Sequence, residues 1–338
     1  MSQQKSPLRR MIPGLVVSLG LIAAILYFVD LPTMLAAIKS ADYGLLALAL
    51  ALSFGWLGLR GFVWRTLLRD APSYKDTFLT LGEGYLLNYV LPFRLGELGR
   101  AFLLSRKTSL TFVEILPTIV IERAVDIAYS AGILVVAVPF VVGAEGAEQI
   151  GLVMGVIIAL GLAALYLLAR NRDWAVRTFE NLSRRWPVLQ RFGGSFLASF
   201  FDGLGVLTDT GLFLRFLGWM TLNWGLGIFQ YFIIIRAFYP AATLTWSLFT
   251  MGVTAFGNAI PALPGSVGTL EGAIGGALTL LSGDQSTALA VALTVRLYFY
   301  LTGGLVGVIA LSREGQTLSG IYRQLMQLRA RGAPEPKG

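Results

Sequence analysis

DTFLTLGEGYLLNYVLPFRLGELGRAFLL, residues 76–104, is apolar enough to enter a bilayer, yet Pro92, Arg94, Gly96 and Glu97 interrupt it near its middle. A clustered interruption exposes backbone N–H and C=O groups that lipid cannot satisfy, so it has to lie against protein or a wet cavity. The stretch therefore reads as two short half-helices joined by a break, a re-entrant hairpin rather than a span. Residues 246–281, WSLFTMGVTAFGNAIPALPGSVGTLEGAIGGALTLL, carry the same kind of interruption. Leu91-Pro92-Phe93-Arg94-Leu95-Gly96 matches Leu263-Pro264-Gly265-Ser266-Val267-Gly268 as Leu-Pro-x-x-x-Gly, with Asn88 and Asn258 before and Glu97 and Glu271 after. Each segment follows a span ending in an arginine, Arg69 or Arg236, and precedes a span bearing one, Arg123 or Arg296. The offset between the two sets stays near about 170 residues, the mark of an internal repeat.

The rest of the chain sets the solvent for these segments. Of its 338 residues 55% are hydrophobic and 14% charged, with a mean hydropathy of +0.69. That is too little polar surface to cover a soluble globule of this size, so the expectation is an all-α polytopic membrane protein. Full spans are expected near 11–29, 44–65, 114–140, 149–169, 211–237 and 287–311. Cysteine and histidine are both absent, which removes disulfides, thiol nucleophiles, imidazole acid–base chemistry and the commonest zinc sites. No cofactor is expected, and a metal would have to be held by oxygen. The Gly-rich run from Gly265 to Gly276 follows no strand and lacks Gly-Lys-Ser/Thr, so it reads as close helix packing rather than a nucleotide loop.

The net charge of +8 is spread over short loops, as the positive-inside rule predicts, and does not point to nucleic acid. With the N-terminus cytoplasmic, the inside segments collect Arg65, Arg69, Lys75, Arg106 and Lys107, then the arginines of 170–191 and those from Arg313 onward. The outside segments hold little more than Lys39. Residues 1–10 and 313–338 are expected in the cytoplasm of a bacterial inner membrane protein, and residues 170–210 as an amphipathic cytoplasmic linker meeting anionic headgroups. On this topology the first hairpin, after Lys75, enters from inside and the second, after Pro240, from outside. Repeat 1 (about 44–140) and repeat 2 (about 211–311) are then inverted, the architecture of many secondary transporters.

Charges at membrane depth each call for a partner or a purpose. The first hairpin offers Glu83, Asn88, Arg94, Glu97 and Arg100; the next span offers Glu122, Arg123 and Asp126; the second half offers Asn223, Gln230, Asn258, Glu271 and Arg296. Glu97 is spaced i,i+3 from both Arg94 and Arg100, and Arg123 is so spaced from Asp126. For Glu122 and Asp126, ion pairs that lock the bundle and a role in the site stand side by side. Arg94, Arg100 and Arg296 favour substrate contact, since a guanidinium fork suits bidentate phosphate binding. Asn88 and Asn258 read equally well as half-helix caps. Arg60, deep in its span, is expected to snorkel toward the cytoplasm.

Asn88-x3-Pro92-x3-Gly96-Glu97-x2-Arg100, then Glu122-Arg123-x2-Asp126, then Pro264-Gly265-x2-Gly268-x2-Glu271 closing on Arg296 resemble the lysylphosphatidylglycerol synthase transmembrane family. This flippase-like group is also called UPF0104 or YbhN-like, and the resemblance covers about residues 11–312. It implies a flippase-like domain, which in the lysyl-lipid synthases translocates aminoacylated phosphatidylglycerol. After residue 312 only a short polar tail follows, so the aminoacyl-transferase domain of those synthases is expected to be missing, and no enzyme activity is expected. Stand-alone members also look similar to proteins associated with hopanoid handling in bacteria, and the length of this chain fits that subgroup.

The combined expectation is a lipid transporter that binds and moves an anionic or lipid-linked headgroup at Asn88, Arg94, Glu97, Arg100, Glu122, Arg123, Asp126, Asn258, Glu271 and Arg296. Its expected partners are phosphate-bearing membrane lipids and lipid-biosynthesis proteins. The alternative is an integral-membrane enzyme or scaffold subunit in lipid or lipid-linked glycan biosynthesis.

Overall fold

The computed structural model describes residues 31–91, 95–142, 208–259 and 264–315, with scattered positions between 156 and 181 and at 320. The expected N-terminal segment and first span, the tail beyond Gly315 and, apart from the positions named, the 149–169 span and the amphipathic linker lie outside the described residues. Every regular element among the described residues is a helix, with no strand. In chain order they form α1 (Leu31–Ser40), α2 (Tyr43–Leu67), α3 (Tyr74–Val90), α4 (Leu95–Ser105), α5 (Phe112–Val142), α6 (Thr210–Phe238), α7 (Leu244–Ala259), α8 (Thr269–Ser282), α9 (Gln285–Phe299) and α10 (Leu305–Arg313). A π-helical turn, Tyr300–Gly304, joins α9 to α10 into one rod. Among the described residues four helices are long and apolar enough to cross a bilayer: α2, α5, α6 and the α9–α10 rod. The protein is a polytopic α-helical membrane protein.

Local chemistry sets the helix starts. Asp42, Ser73, Asp209 and Asp284 accept hydrogen bonds from the backbone N–H groups of Leu45, Asp76, Leu212 and Thr287, at 3.0 to 3.1 Å. Thr111 and Glu114 bond reciprocally at the start of α5. Each such cap is worth about 1 kcal/mol. The ends are equally legible. Leu91 is extended (φ −96, ψ 141), as a residue before proline is driven to be, and this stops α3. Gly283 ends α8 in the left-handed region at φ 73, where only glycine is unstrained. The expected spans at 11–29 and 44–65 leave residues 30–43 unassigned. The structure instead folds Leu31–Ser40 into α1, whose Met34 packs into a core shared with α2, α6, α8 and α9.

Two broken helix pairs, α3–α4 and α7–α8, occupy the places expected for the interrupted segments. Each is flanked by long helices, α2 and α5 in one half, α6 and the α9–α10 rod in the other. Helices α2 and α6 pack antiparallel along their lengths. Asp42 N–H donates to Ala237 O at 2.9 Å, Gln230 to Ser53 Oγ at 2.6 Å, Asn223 Nδ2 to Trp56 O at 2.8 Å, and Arg60 to Asn223 Oδ1 at 3.4 Å. The broken pairs pack across halves. A Cβ on Gly82 of α3 would sit 2.6 Å from Val306 Cγ1 of α10, and one on Gly252 of α7 would sit 2.5 Å from Leu134 Cγ of α5. Lipid offers no hydrophobic drive between helices, so such close contacts through small residues supply the packing.

Candidate functional site

The site is built where α3 and α4 touch. A Cβ on Gly84 would meet Arg100 Cβ at 2.9 Å, and one on Gly96 would overlap Gly84 O and Asn88 Oδ1, so the two helices approach backbone to backbone. That approach lets Asn88 Oδ1 accept from Gly96 N–H at 2.9 Å, capping α4 across the break. It also sets Arg100 beneath the break, its guanidinium 4.7 Å from the Trp64 ring centroid. Trp64 is held in turn by its indole N–H donating to Thr118 Oγ1 at 3.1 Å.

Three arginines and three acids interlock there. Glu122, fully buried on α5, lies 2.6 Å from Arg60 Nη2, 3.2 Å from Arg100 Nη2 and 3.6 Å from Arg123 Nη2. Glu97 of α4 receives Arg100 at 2.9 Å and Arg123 at 3.0 Å. Asp126 takes both Nη atoms of Arg60 in a bidentate grip, Arg123 Nη1 at 3.2 Å, and a hydrogen bond from the Trp224 indole at 3.2 Å. With every group ionised the cluster is neutral. Its exposure is graded. Arg60 and Arg100 are 3% exposed, Asp126 15%, Glu97 18% and Arg123 33%. Arg123, Glu97, Arg100 and Asn88 line a small concavity with Leu81, Gly84 and Tyr85. Arg123 Nε has no hydrogen-bond partner among the described residues.

Arg60 is a correction. Snorkelling was expected, but the side chain is turned into the bundle between Glu122, Asp126 and Asn223. The physical reason is the pair of acids one helical turn apart on α5, which offers more than the distant aqueous interface. An arginine at membrane depth facing two acids in a later span was the signal that could have revealed it. Trp64, Tyr85 and Trp224, which orient or line the cluster, were not singled out by sequence at all.

Glu271 and Arg296 form a second group. Arg296 Nε and Nη2 grip Glu271, Nη1 donates to Gly265 O at 2.8 Å and Tyr300 Oη at 3.2 Å, and Nη2 also donates to Ser266 O at 3.1 Å. All five donors of this guanidinium are engaged inside the protein. Glu271 also accepts from Gly268 N–H at 2.9 Å, starting α8, while Gly265 turns the chain at φ 71. The two groups connect through α3. Tyr89 donates to Phe299 O at 3.0 Å and stands edge-on to Tyr300, ring centroids 5.1 Å apart. Of the ten expected site residues, Asn88, Glu97, Arg100, Glu122, Arg123 and Asp126 come together, and Glu271 and Arg296 pair apart from them. Arg94 and the side chain of Asn258 lie outside the described residues.

A multi-span helical membrane protein with ion pairs sealed at the junction of two broken helices is thus the class defined. The family described as "Lysylphosphatidylglycerol synthase TM region" matches residues 11–307, and the chain belongs to that family. A "UPF0104 membrane protein" of the archaeon Methanothermobacter thermautotrophicus is 20% identical over 325 residues, covering 93% of this chain and 96% of that protein. No solved structure matches the chain.

Proposed function

We propose that this protein is a lipid transporter of the flippase type, binding a phosphate-bearing headgroup at the concavity lined by α3, α4 and α5 and passing it across the membrane. The observation that carries the reading is Arg123, whose side chain is one-third exposed at the edge of a buried ion cluster, beside Glu97, Arg100 and Asn88. An arriving phosphodiester can take the Arg123 fork by exchange with Glu97 or Asp126, since bidentate binding to phosphate matches that to carboxylate. Arg94, next to the break in sequence, would add the charge that tips the neutral cluster toward an anion. Arg296 contributes differently. Its saturated fork supports a role in holding the second break in shape, in place of the headgroup contact expected from sequence.

An inverted repeat supports movement as well as binding. A shift of about 170 residues turns the Ser53–Gln230 contact into the Asn223–Arg60 contact, and Gly82 against α10 into Gly252 against α5. The Glu97–Arg123 and Glu271–Arg296 pairs correspond in the same way, the first with its arginine side chain a third exposed and the second more enclosed. Antiparallel α2 and α6 are what two re-entrant halves entering from opposite faces require. In this reading both termini are cytoplasmic, the protein has no catalytic role of its own, and its partners are membrane lipids.

The test is to purify the protein in mild detergent and identify co-purifying lipids by mass spectrometry, for wild type, Arg123→Ala, Arg94→Ala and Arg296→Ala. Enrichment of one phosphate-bearing lipid, lost in Arg123→Ala and Arg94→Ala while the protein stays monodisperse, supports the headgroup site. Bulk lipid unchanged by those substitutions sinks it.

A further inference from the structure

Away from the arginine cluster, one ammonium serves two carboxylates. Lys107, in the turn after α4, places Nζ 2.7 Å from Glu83 Oε2 and 2.5 Å from Glu314 Oε1, and donates to Thr80 Oγ1 at 3.0 Å. Three elements meet there: α3 through Glu83, the α4 turn through Lys107, and the end of α10 through Glu314. Glu83 is fully buried, and its Oε1 has no hydrogen-bond partner among the described residues. The charged groups facing it are Lys107 and Glu314, so one negative charge is left over at a buried position. Burial penalises such a charge, and a bound cation or proton relieves it. Glu97 Oε2 and Glu122 Oε2 also lack a hydrogen-bond partner among the described residues, but the charge balance of the arginine cluster is the opposite. Glu97 and Asp126 each face two arginines and Glu122 faces three, so all are fully compensated.

We propose that Glu83 is a proton-binding site. A proton taken from water forms an O–H on Oε1, while Lys107 remains an ammonium on Glu314, and the triad becomes neutral. A metal cation is the poorer occupant, because the Lys107 ammonium already stands between the carboxylates. The location gives the proton leverage. Gly82, one residue earlier, makes the backbone-close contact with Val306 and Gly307 that docks α3 on α10. Protonation weakens the Glu83–Lys107 attraction at that joint, so occupancy biases how the first broken pair sits on the last rod.

Infrared difference spectra of the purified full-length protein, titrated from about pH 9 to about pH 5, read this directly. A carboxylic C=O band that grows already between about pH 9 and about pH 6, above the range where ordinary carboxyls protonate, is expected in wild type and should be absent from Glu83→Gln. In Glu314→Gln, with one carboxylate left per ammonium, the band should appear only at a pH lower by about one unit or more. A band that persists in Glu83→Gln, no titrating band at all, or a band removed by sodium ions at constant pH would each overturn the proposal. If Glu83→Gln is not recovered folded, Glu314→Gln decides alone: a lowered midpoint supports the site and an unchanged one refutes it. No lipid enters the measurement, so its outcome is independent of headgroup binding.

Discussion

Glu122→Gln tests the energetic logic of the cluster. The substitution keeps the side-chain shape and removes the charge that lies 2.6 to 3.6 Å from three guanidinium groups. The cluster then carries one uncompensated positive charge, with Arg60 and Arg100 almost wholly shielded from water. Breaking a buried ion pair by deleting one partner costs about 3–5 kcal/mol, because the charge left behind is unpaid for in desolvation. At about 2 °C per kcal/mol for a chain of this size, the midpoint of thermal unfolding should fall by about 6–10 °C. Size-exclusion thermostability in detergent, heating aliquots and measuring the surviving monodisperse peak, gives the number. The double variant Arg60→Met with Glu122→Gln, which restores neutrality, should recover part of the loss. A Glu122→Gln protein as stable as wild type, or a double variant worse than the sum of its singles, would refute the account of a charge-balanced lock.

Other outcomes follow from particular contacts. Gly96→Val should prevent α3 and α4 from meeting, since even a Cβ there overlaps Gly84 O and Asn88 Oδ1, and should abolish recovery of folded protein on size exclusion. Arg296→Lys should lower thermal stability by about 2–3 kcal/mol, since an ammonium cannot reach Glu271, two carbonyls and Tyr300 together; an unchanged melting point would show that the fork is dispensable. Because the chain has no native cysteine, Lys75→Cys and Ala241→Cys can be labelled singly in intact spheroplasts with a membrane-impermeant maleimide. Labelling of Ala241→Cys alone is expected, and labelling of both would defeat the opposite entry of the two broken pairs. Asp70→Asn, which removes an exposed partner of Arg215, should change stability by less than about 1 kcal/mol in the same thermostability assay.

Much of the architecture is written locally. The four long helices, the two interruptions and the capping acids are set by runs of apolar residues, by proline and glycine, and by side chains within four positions of the groups they serve. Leu91 turns extended because Pro92 follows it, whatever the rest of the chain does. The pairs Glu97–Arg100 and Arg123–Asp126 are legible for the same reason, since i,i+3 spacing on a helix brings them together.

What the tertiary structure alone decided is which distant groups share a charge. Arg60 meets Asp126 across 66 positions and Asn223 across 163, and no spacing rule predicts such a contact. Arg296 and Arg123 look alike in sequence, each an arginine in the span after a broken segment. Only the fold distinguishes them, by closing the Arg296 guanidinium on two backbone carbonyls and leaving the Arg123 side chain a third exposed. Lys107 reads in sequence as a cytoplasmic loop charge, yet the fold sets it between carboxylates on α3 and beyond α10. The reason is physical. Apolar periodicity and turn chemistry act over a few residues, whereas inside a bilayer a charge is stabilised by whichever opposite charge the packing of helices brings within about 4 Å.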